Sequence, residues 1–388
     1  MNGQPVHLQV GEWAVPYEEG REALGRRLLP HQAFLAGAPA GAYVVHTPTG
    51  SGKTFAALLR YLERAKAEPG PFFGLMVYPT NALLEDQARQ LKLAVETGGW
   101  RASMLPEEES QTDFGLLVTS GEMLGPSGGK GRQLETALDL LLRRYQRGLW
   151  LTNPDTLFYL FQLYYRHAGE SLKYLSAFRY WVLDEFHLYE GGLLAEVVFL
   201  LDRVAGRAVQ DLVVMTATPS AAADLVRRWW PDMQEVGLRS VNPANSARII
   251  RHSMDLTVHP ANGRFSLRNE AALRRLLTII EATFEDTSLE TLGGEATART
   301  LVIVDSVAVA NYLYRALCDR YGSSEVGAIH GFVPAGHRIM RPLTIGTRAV
   351  EVGVDFDTAS LVMEGHDVPT ALQRLGRAGR HRPAVVHW

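Results

Sequence analysis

Apolar and polar positions along the chain follow two periods in turn. Solid apolar runs of a few residues fall at 42–45, 72–78, 114–118, 149–151, 180–183 and 212–215, and they read as buried strands. Between them, apolar positions recur at helical spacing over 53–66, 82–96 and 134–145. The aromatics crowded at 158–165 also have helical spacing and read as core packing. Residues 230–248, with Pro231, Gly237 and Pro243, read as a boundary. A second set follows: apolar alternation over 248–258, helices at 269–284 and 308–321, and strands at 301–304, 326–330, 343–346 and 361–363. The glycine-rich stretch 125–131 and the acidic stretch 285–297 read as surface loops. Strands alternating with helices predict an α/β chain with parallel sheets. Polar residues gather at strand C-termini, where ligands bind in such sheets.

The most informative stretch is Thr47-Pro48-Thr49-Gly50-Ser51-Gly52-Lys53-Thr54, set between a predicted strand and a predicted helix. Gly50 and Gly52 let the backbone turn its N–H groups onto a polyphosphate, and the helix N-terminus adds partial positive charge. Lys53 can reach β- and γ-phosphates, and the Thr54 hydroxyl can ligate Mg²⁺. The pattern departs from the usual one at its first position, which is Thr47 and not glycine. Thr49, Gly50, Ser51, Gly52, Lys53 and Thr54 are therefore the nucleotide-binding candidates. Gln32 follows Pro30 at a helix start. Alone it would be an ordinary surface glutamine; just upstream of this loop it becomes a candidate adenine reader, because an amide pairs bidentately with adenine N6 and N7.

Asp184 and Glu185 stand at the end of the 180–183 strand. A strand-end aspartate in a phosphate-loop site holds Mg²⁺, and the neighbouring acid can polarise an attacking water. Asp184 is thus the metal candidate with Thr54, and Glu185 the candidate general base.

Composition narrows the partners. The chain has 388 residues, enough for two domains, with a net charge of −3 and a pI near 6.5. No global basic signature marks a polyanion partner, so any nucleic acid must meet a local groove. The single cysteine, Cys318, excludes an internal disulfide and suits a reducing cytoplasm. No apolar run is long enough to span a membrane, and no secretory pattern opens the chain.

Gly-Ser-Gly-Lys-Thr at 50–54, Asp184-Glu185-Phe186-His187 and Thr216-Ala217-Thr218 together resemble a DExH-box helicase of superfamily 2. Residues 347–355 resemble that superfamily's motif V, and Gln373-Arg374-Leu375-Gly376-Arg377-Ala378-Gly379-Arg380 its motif VI. The resemblance implies two RecA-like parallel-sheet lobes, residues 1–240 and 241–388, with ATP and Mg²⁺ in the cleft between them. It implies catalytic roles for Lys53, Glu185, Gln373, Arg377 and Arg380, the arginines stabilising charge that builds on the γ-phosphate. Gly353 and Asp355 would contact the nucleotide, and His187, Thr216 and Thr218 would couple hydrolysis to lobe movement. Nucleic acid would cross Pro79, Thr80, Thr152, Asn153 and Asp155 of the first lobe and Ser306 and Thr347 of the second, held at its phosphates without sequence preference.

Within the superfamily, Asp-Glu-Phe-His-Leu-Tyr-Glu at 184–190 with Thr-Ala-Thr-Pro-Ser at 216–220 is similar to the CRISPR-associated helicase of type I systems. It looks closest to the stand-alone form of subtype I-D, which lacks the nuclease. Only residues 1–46 precede the phosphate loop, too few for an HD nuclease domain, and His366-Asp367 reads as a loop. That resemblance implies 3′-to-5′ movement on single-stranded DNA and recruitment by a guide-RNA surveillance complex with a separate nuclease. The helicases it resembles continue further past motif VI, so the second lobe reads as truncated. Two alternatives stay open: a general helicase acting on RNA or DNA, and a nucleotide-switched binding module that closes on its partner without unwinding.

Overall fold

The computed structural model describes residues 4–105, 112–120, 130–159, 170–189, 191–204, 208–217, 221–238, 247–260, 265, 267–287, 298–330, 333, 340–347, 350 and 358–388. The chain divides into two compact units: Tyr17–Arg239, and Met1–Pro16 together with Ser240–Trp388. The first sixteen residues thus part from the 1–240 grouping expected from sequence.

In the unit Tyr17–Arg239 an eight-stranded parallel sheet runs in the order Gln234–Gly237, Ala42–His46, Asp211–Thr216, Phe178–Leu183, Phe72–Val77, Arg147–Thr152, Phe114–Val118 and Ala102–Leu105. The central strands are buried along their whole length, as solid apolar runs require when helices cover both faces. Helix Lys53–Ala67 packs on one face through Ala56, Ala57, Leu58, Tyr61, Leu62 and Ala65, with Leu84, Ala88, Leu91 and Val95 of helix Asn81–Thr97 beside it. Helices Lys130–Arg144 and Gly191–Val204 cover the other face through Leu134, Leu138, Leu141, Val197, Leu200 and Leu201. Lys130 and Gly131 belong to that helix and not to the loop expected there; residues 125–129 lie outside the described part.

Two devices fix the sheet's layers. The Tyr61 ring lies close enough over Gly74 that a Cβ there would meet it at 2.9 Å, and its hydroxyl donates to the carbonyls of Phe72 and Gly148. Asp211 opens its strand at the end away from the phosphate loop. Fully buried, it pairs with Arg60 and with Arg64 at 2.9 Å and accepts from the Gly41 N–H at 3.1 Å.

In the other unit, a seven-stranded sheet runs Val6–Val10, Met254–Val258, Ala384–His387, Thr358–Met363, Ala298–Ile303, Leu343–Gly346 and Val326–Ile329. All neighbours are parallel except the first pair. Strand Val6–Val10, mostly exposed, therefore seals an edge of this sheet with antiparallel bonds. The alternation predicted over 248–258 resolves into two strands. Ala247–Arg251 pairs with Trp13–Pro16, and Met254–Val258 enters the main sheet. Ala384–His387 supplies a strand beyond motif VI that the pattern did not assign. Helices Glu270–Asp286 and Val307–Tyr321 pack on one face and Val368–Leu375 on the other. No described helix is long and apolar enough to cross a membrane.

Candidate nucleotide site

The loop 47–52 links buried strand Ala42–His46 to helix Lys53–Ala67, as the sequence predicts. Gly50 and Gly52 sit at φ +83° and +81°, conformations that side-chain-bearing residues rarely adopt. Thr47, the departure from pattern, is buried; its hydroxyl bonds that of Ser51 at 2.6 Å and its N–H donates to the Thr216 carbonyl at 3.3 Å. A glycine there would lose this brace. The Lys53 ammonium folds back across the loop and donates to the carbonyls of Thr47 (3.0 Å) and Pro48 (3.4 Å). A cation held by carbonyls inside an N–H-lined turn marks where polyphosphate oxygens fit. Thr49 is half-buried on the same turn.

Gln32 is buried against this loop. Its amide oxygen accepts from the Leu29 N–H at 2.9 Å, and its amide nitrogen donates to the carbonyls of Ser51 (3.2 Å) and Gly52 (3.3 Å). Both ends of the amide are engaged at the loop, and its assignment to adenine stays with the sequence motif.

Asp184 follows strand Phe178–Leu183 and is almost fully buried. Burial and the neighbouring Glu185 charge push its carboxyl up to about 7, against the opposing pull of Lys53 and of hydrogen bonds from the Glu185 N–H (2.8 Å) and the Thr54 hydroxyl. A buried carboxylate short of positive charge, bonded to a threonine hydroxyl at a phosphate loop, is a donor set that fits Mg²⁺. Glu185 adopts a left-handed backbone, φ +45° and ψ 49°, unusual for a residue with a side chain. That turn aims the strand end so that Glu185 Oε2 lies 3.5 Å from His187 Nδ1, and Nδ1 lies 3.4 Å from the Thr216 hydroxyl. The structure thus joins Glu185, His187 and Thr216 in one chain of contacts; Thr218 lies outside the described residues.

The polar strand ends of this unit share the same edge. Thr80 caps helix Asn81–Thr97 by accepting from the Leu83 N–H, and Asn153 bonds Asn81 at 2.7 Å and the Thr156 N–H at 2.8 Å. Pro79 is half-buried and Asp155 exposed there. Thr152 is fully buried with its hydroxyl on the Thr119 carbonyl, so its side chain does not reach the surface.

In the second unit, Ser306 caps helix Val307–Tyr321 through the Val309 N–H, and Thr347 is buried at the end of the neighbouring strand Leu343–Gly346. Gly353 and Asp355 lie outside the described residues. Gln373 is half-buried on helix Val368–Leu375; Arg377 and Arg380 follow it, and Arg380 Nε donates to the Gly376 carbonyl at 2.8 Å. Sequence reasoning passed over Arg374. Its guanidinium is fully buried, bonds the Glu364 carbonyl and pairs with Asp305 at 2.5 Å. His366 Nε2 meets Asp305 at 3.0 Å and Glu364 at 3.1 Å. Among the described residues, Asp305, Glu364 and His366 are the one trio of metal-ligand types whose donor atoms converge. Arg374 and the Asp305 N–H already answer these acids, and Asp367 serves as the helix cap through the Thr370 N–H. The signal for Arg374 was its helical spacing from buried Ala371.

Solved structures share this fold. The DUF1998 helicase MrfA bound to DNA and AMPPNP matches with TM-score 0.65 at 19% identity, over 99% of this chain and 52% of its own. Mss116p bound to ssRNA and AMP-PNP matches at 0.62 and 15%, over 92% and 69%. S. cerevisiae Dbp5 bound to RNA and ADP BeF3 matches at 0.57 and 17%, over 92% and 81%. The chain spans about half the length of the MrfA structure. No curated protein matches its sequence. At these identities the likeness establishes the fold alone, two RecA-like α/β units. The family model described as DEAD/DEAH box helicase matches residues 30–226, about half of the sequence, including Lys53, Thr54, Asp184, Glu185, His187 and Thr216. The chain belongs to the DEAD/DEAH box helicase family.

Proposed function

We propose that this chain binds ATP with Mg²⁺ and hydrolyses it to move along single-stranded DNA. The observation that carries this reading is the continuous set Lys53, Thr54, Asp184, Glu185, His187 and Thr216 at one edge of one sheet. Glu185 is the base that takes a proton from the attacking water, and the His187 contact holds its carboxylate in place. Lys53 exchanges the carbonyls of Thr47 and Pro48 for phosphate oxygens. Asp184 and Thr54 hold Mg²⁺, which neutralises phosphate charge when bound. Thr216 reports the state of Glu185 to the loop, because its carbonyl accepts the Thr47 N–H while its hydroxyl meets His187. Gln373, Arg377 and Arg380 carry the γ-phosphate assignment on their motif, and Gly353, Asp355 and Thr218 theirs.

The DNA preference, the 3′-to-5′ polarity and a place in type I CRISPR interference, with recruitment by a guide-RNA complex and a separate nuclease, rest on residues 184–190 and 216–220. The likeness, over 99% of this chain, to a helicase solved with DNA supports the DNA arm. Likeness to two helicases solved with RNA supports a second reading, a general helicase acting on RNA. ATP hydrolysis measured alone, with single-stranded DNA and with single-stranded RNA, separates them, with Glu185→Gln as the blank. Stimulation by DNA alone upholds the first reading, and stimulation by RNA the second. Hydrolysis no higher than the blank, with ATP still bound, leaves a binding module.

A further inference from the structure

The turn that carries Glu185 is closed on a single backbone oxygen. The Asp184 N–H continues the ladder of its strand and donates to the Val77 carbonyl at 3.0 Å. The chain then takes the left-handed step at Glu185 and a short helical turn over Phe186–Leu188. The Leu188 N–H donates to the Glu185 carbonyl (2.8 Å) and the Tyr189 N–H to the Phe186 carbonyl (3.1 Å). Tyr189 then folds back, and its hydroxyl donates to the same Val77 carbonyl at 3.2 Å. That oxygen has two lone pairs, and the turn engages it at both its start and its end. The Tyr189 ring is buried beside Phe186, ring centres 5.4 Å apart. Burial, and then the charges of Asp184 and Glu185, hold its hydroxyl well above the usual tyrosine range, so it stays a donor. A left-handed residue with a side chain persists only where its surroundings fix it, and this closing bond is part of what fixes Glu185.

The same peptide unit reaches the other way. The Tyr78 N–H, across the bond from the Val77 carbonyl, donates to the Thr152 carbonyl at 2.9 Å. A peptide unit is planar and rigid, so its C=O and N–H move together. It joins the acid turn on one side to the strand end at Thr152 on the other. Pro79 and Thr80 follow directly, both half-buried, and Asn81 bonds Asn153 at 2.7 Å. Pro79, Thr80 and Asn153 are the phosphate-contact candidates of this unit.

Resting on the ATP-hydrolysis reading above, we propose that Tyr189 is a positioning residue that transmits nucleic-acid contact to the general base. A single strand seated on Pro79, Thr80 and Asn153 fixes the Val77–Tyr78 peptide, and the Tyr189 hydroxyl carries that constraint to the far end of the Glu185 turn. The tyrosine is buried, so it acts through Glu185 and not by touching either ligand. Its contribution is to rate: a turn closed at both ends keeps the carboxylate aligned for the attacking water.

The test is steady-state ATP hydrolysis by the full chain and by Tyr189→Phe, without nucleic acid and with saturating single-stranded DNA or RNA, whichever stimulates the parent. Tyr189→Phe keeps the ring against Phe186 and removes only the hydroxyl. The factor by which the single strand stimulates hydrolysis should fall about fivefold, on the scale of one lost hydrogen bond. The loss should lie in kcat, with KM for ATP and affinity for the single strand as in the parent. An unchanged stimulation factor, with any loss confined to thermal stability, overturns the proposal. So does an equal loss with and without nucleic acid, which makes Tyr189 a support of Glu185 and nothing more. A second measurement needs no variant: amide hydrogen exchange over 184–189 in the parent should slow when the single strand binds. Exchange that ignores the strand overturns the coupling. A parent that hydrolyses ATP but is stimulated by neither nucleic acid overturns the coupling while the ATP reading stands. Hydrolysis no higher than in Glu185→Gln overturns both.

Discussion

Two buried aspartates on neighbouring strands of one sheet are treated in opposite ways. Asp211 begins its strand and is answered in full: two arginines and a backbone N–H converge on its carboxylate. Asp184 stands just past the end of the adjoining strand and is left in deficit. Its nearest cation, Lys53, spends its hydrogen bonds on the carbonyls of Thr47 and Pro48, and its nearest charged neighbour is another acid. Burial is expensive for both, yet only at Asp211 does the protein itself supply the compensation. A site that holds back the compensating charge is built for a charge that arrives from outside. The N-terminal end of the sheet is therefore maintained for stability and the C-terminal end for chemistry.

The largest expected effect lies at the chemical end. Glu185→Gln keeps the size of the side chain but removes the base, and ATP hydrolysis should fall at least about 10²-fold in steady-state assays. Lys53→Ala should match it, by about 10²–10³-fold, because the cation on the phosphates is lost. Neither change should lower thermal stability by more than a few degrees. At Asp211 the pattern inverts. Asp211→Ala strands the buried Arg60 and should cost about 3–5 kcal/mol in denaturant unfolding. The fraction that remains folded should bind nucleotide as the parent does. Loss of nucleotide affinity in the folded fraction would show that the two ends of the sheet are not separate in function.

Asp184 gives a smaller effect with a pH signature. Its carboxyl titrates near 7 in the folded chain against 3.8 in the reference state. Between those values the folded form holds more protons, so stability falls as pH rises from about 4 through 7 and stays low above that. Asp184→Asn removes the ionisation. The nucleotide-free variant should be more stable than the parent by on the order of 2–4 kcal/mol at pH 8, and the gap should close toward pH 4. Melting curves of both proteins across that range, without nucleotide, make the check. A gap independent of pH would mean that Asp184 is compensated after all.

Much of this was legible in the sequence because the chemistry depends on local order. A strand, two glycines and a lysine opening a helix all fall within twelve residues, and Asp184 and Glu185 directly follow an apolar run. Other features depend on where distant segments meet. Nothing near Asp305 announces Arg374, sixty-nine residues away, and nothing in the exposed Val6–Val10 strand tells which sheet it will join. Thr47 looked like a flaw in the motif until Ser51 and Thr216 were seen around it. Thr152 looked like a surface donor until Thr119 was seen to take its hydroxyl.

Gln32 gives the smallest and sharpest test. Its three hydrogen bonds tie the start of helix Pro30–Gly37 to the carbonyls of Ser51 and Gly52. In Gln32→Ala the Leu29 N–H loses its side-chain acceptor, a change that resembles loss of a helix cap and should cost about 1 kcal/mol of stability. The loop carbonyls lose their donor, so the loop should spend less time in the shape that presents its N–H groups. A loop that holds its competent shape for a smaller fraction of the time binds more weakly by that fraction. That loss does not depend on what lies beyond the phosphates. ADP, GDP and tripolyphosphate should therefore all weaken by the same factor, a few-fold on the scale of one lost hydrogen bond. An adenine reader behaves otherwise: its removal weakens ADP and leaves tripolyphosphate untouched. Equal losses place Gln32 with the stabilising parts of the first unit, although it sits at the chemical end; a loss confined to ADP returns it to the adenine.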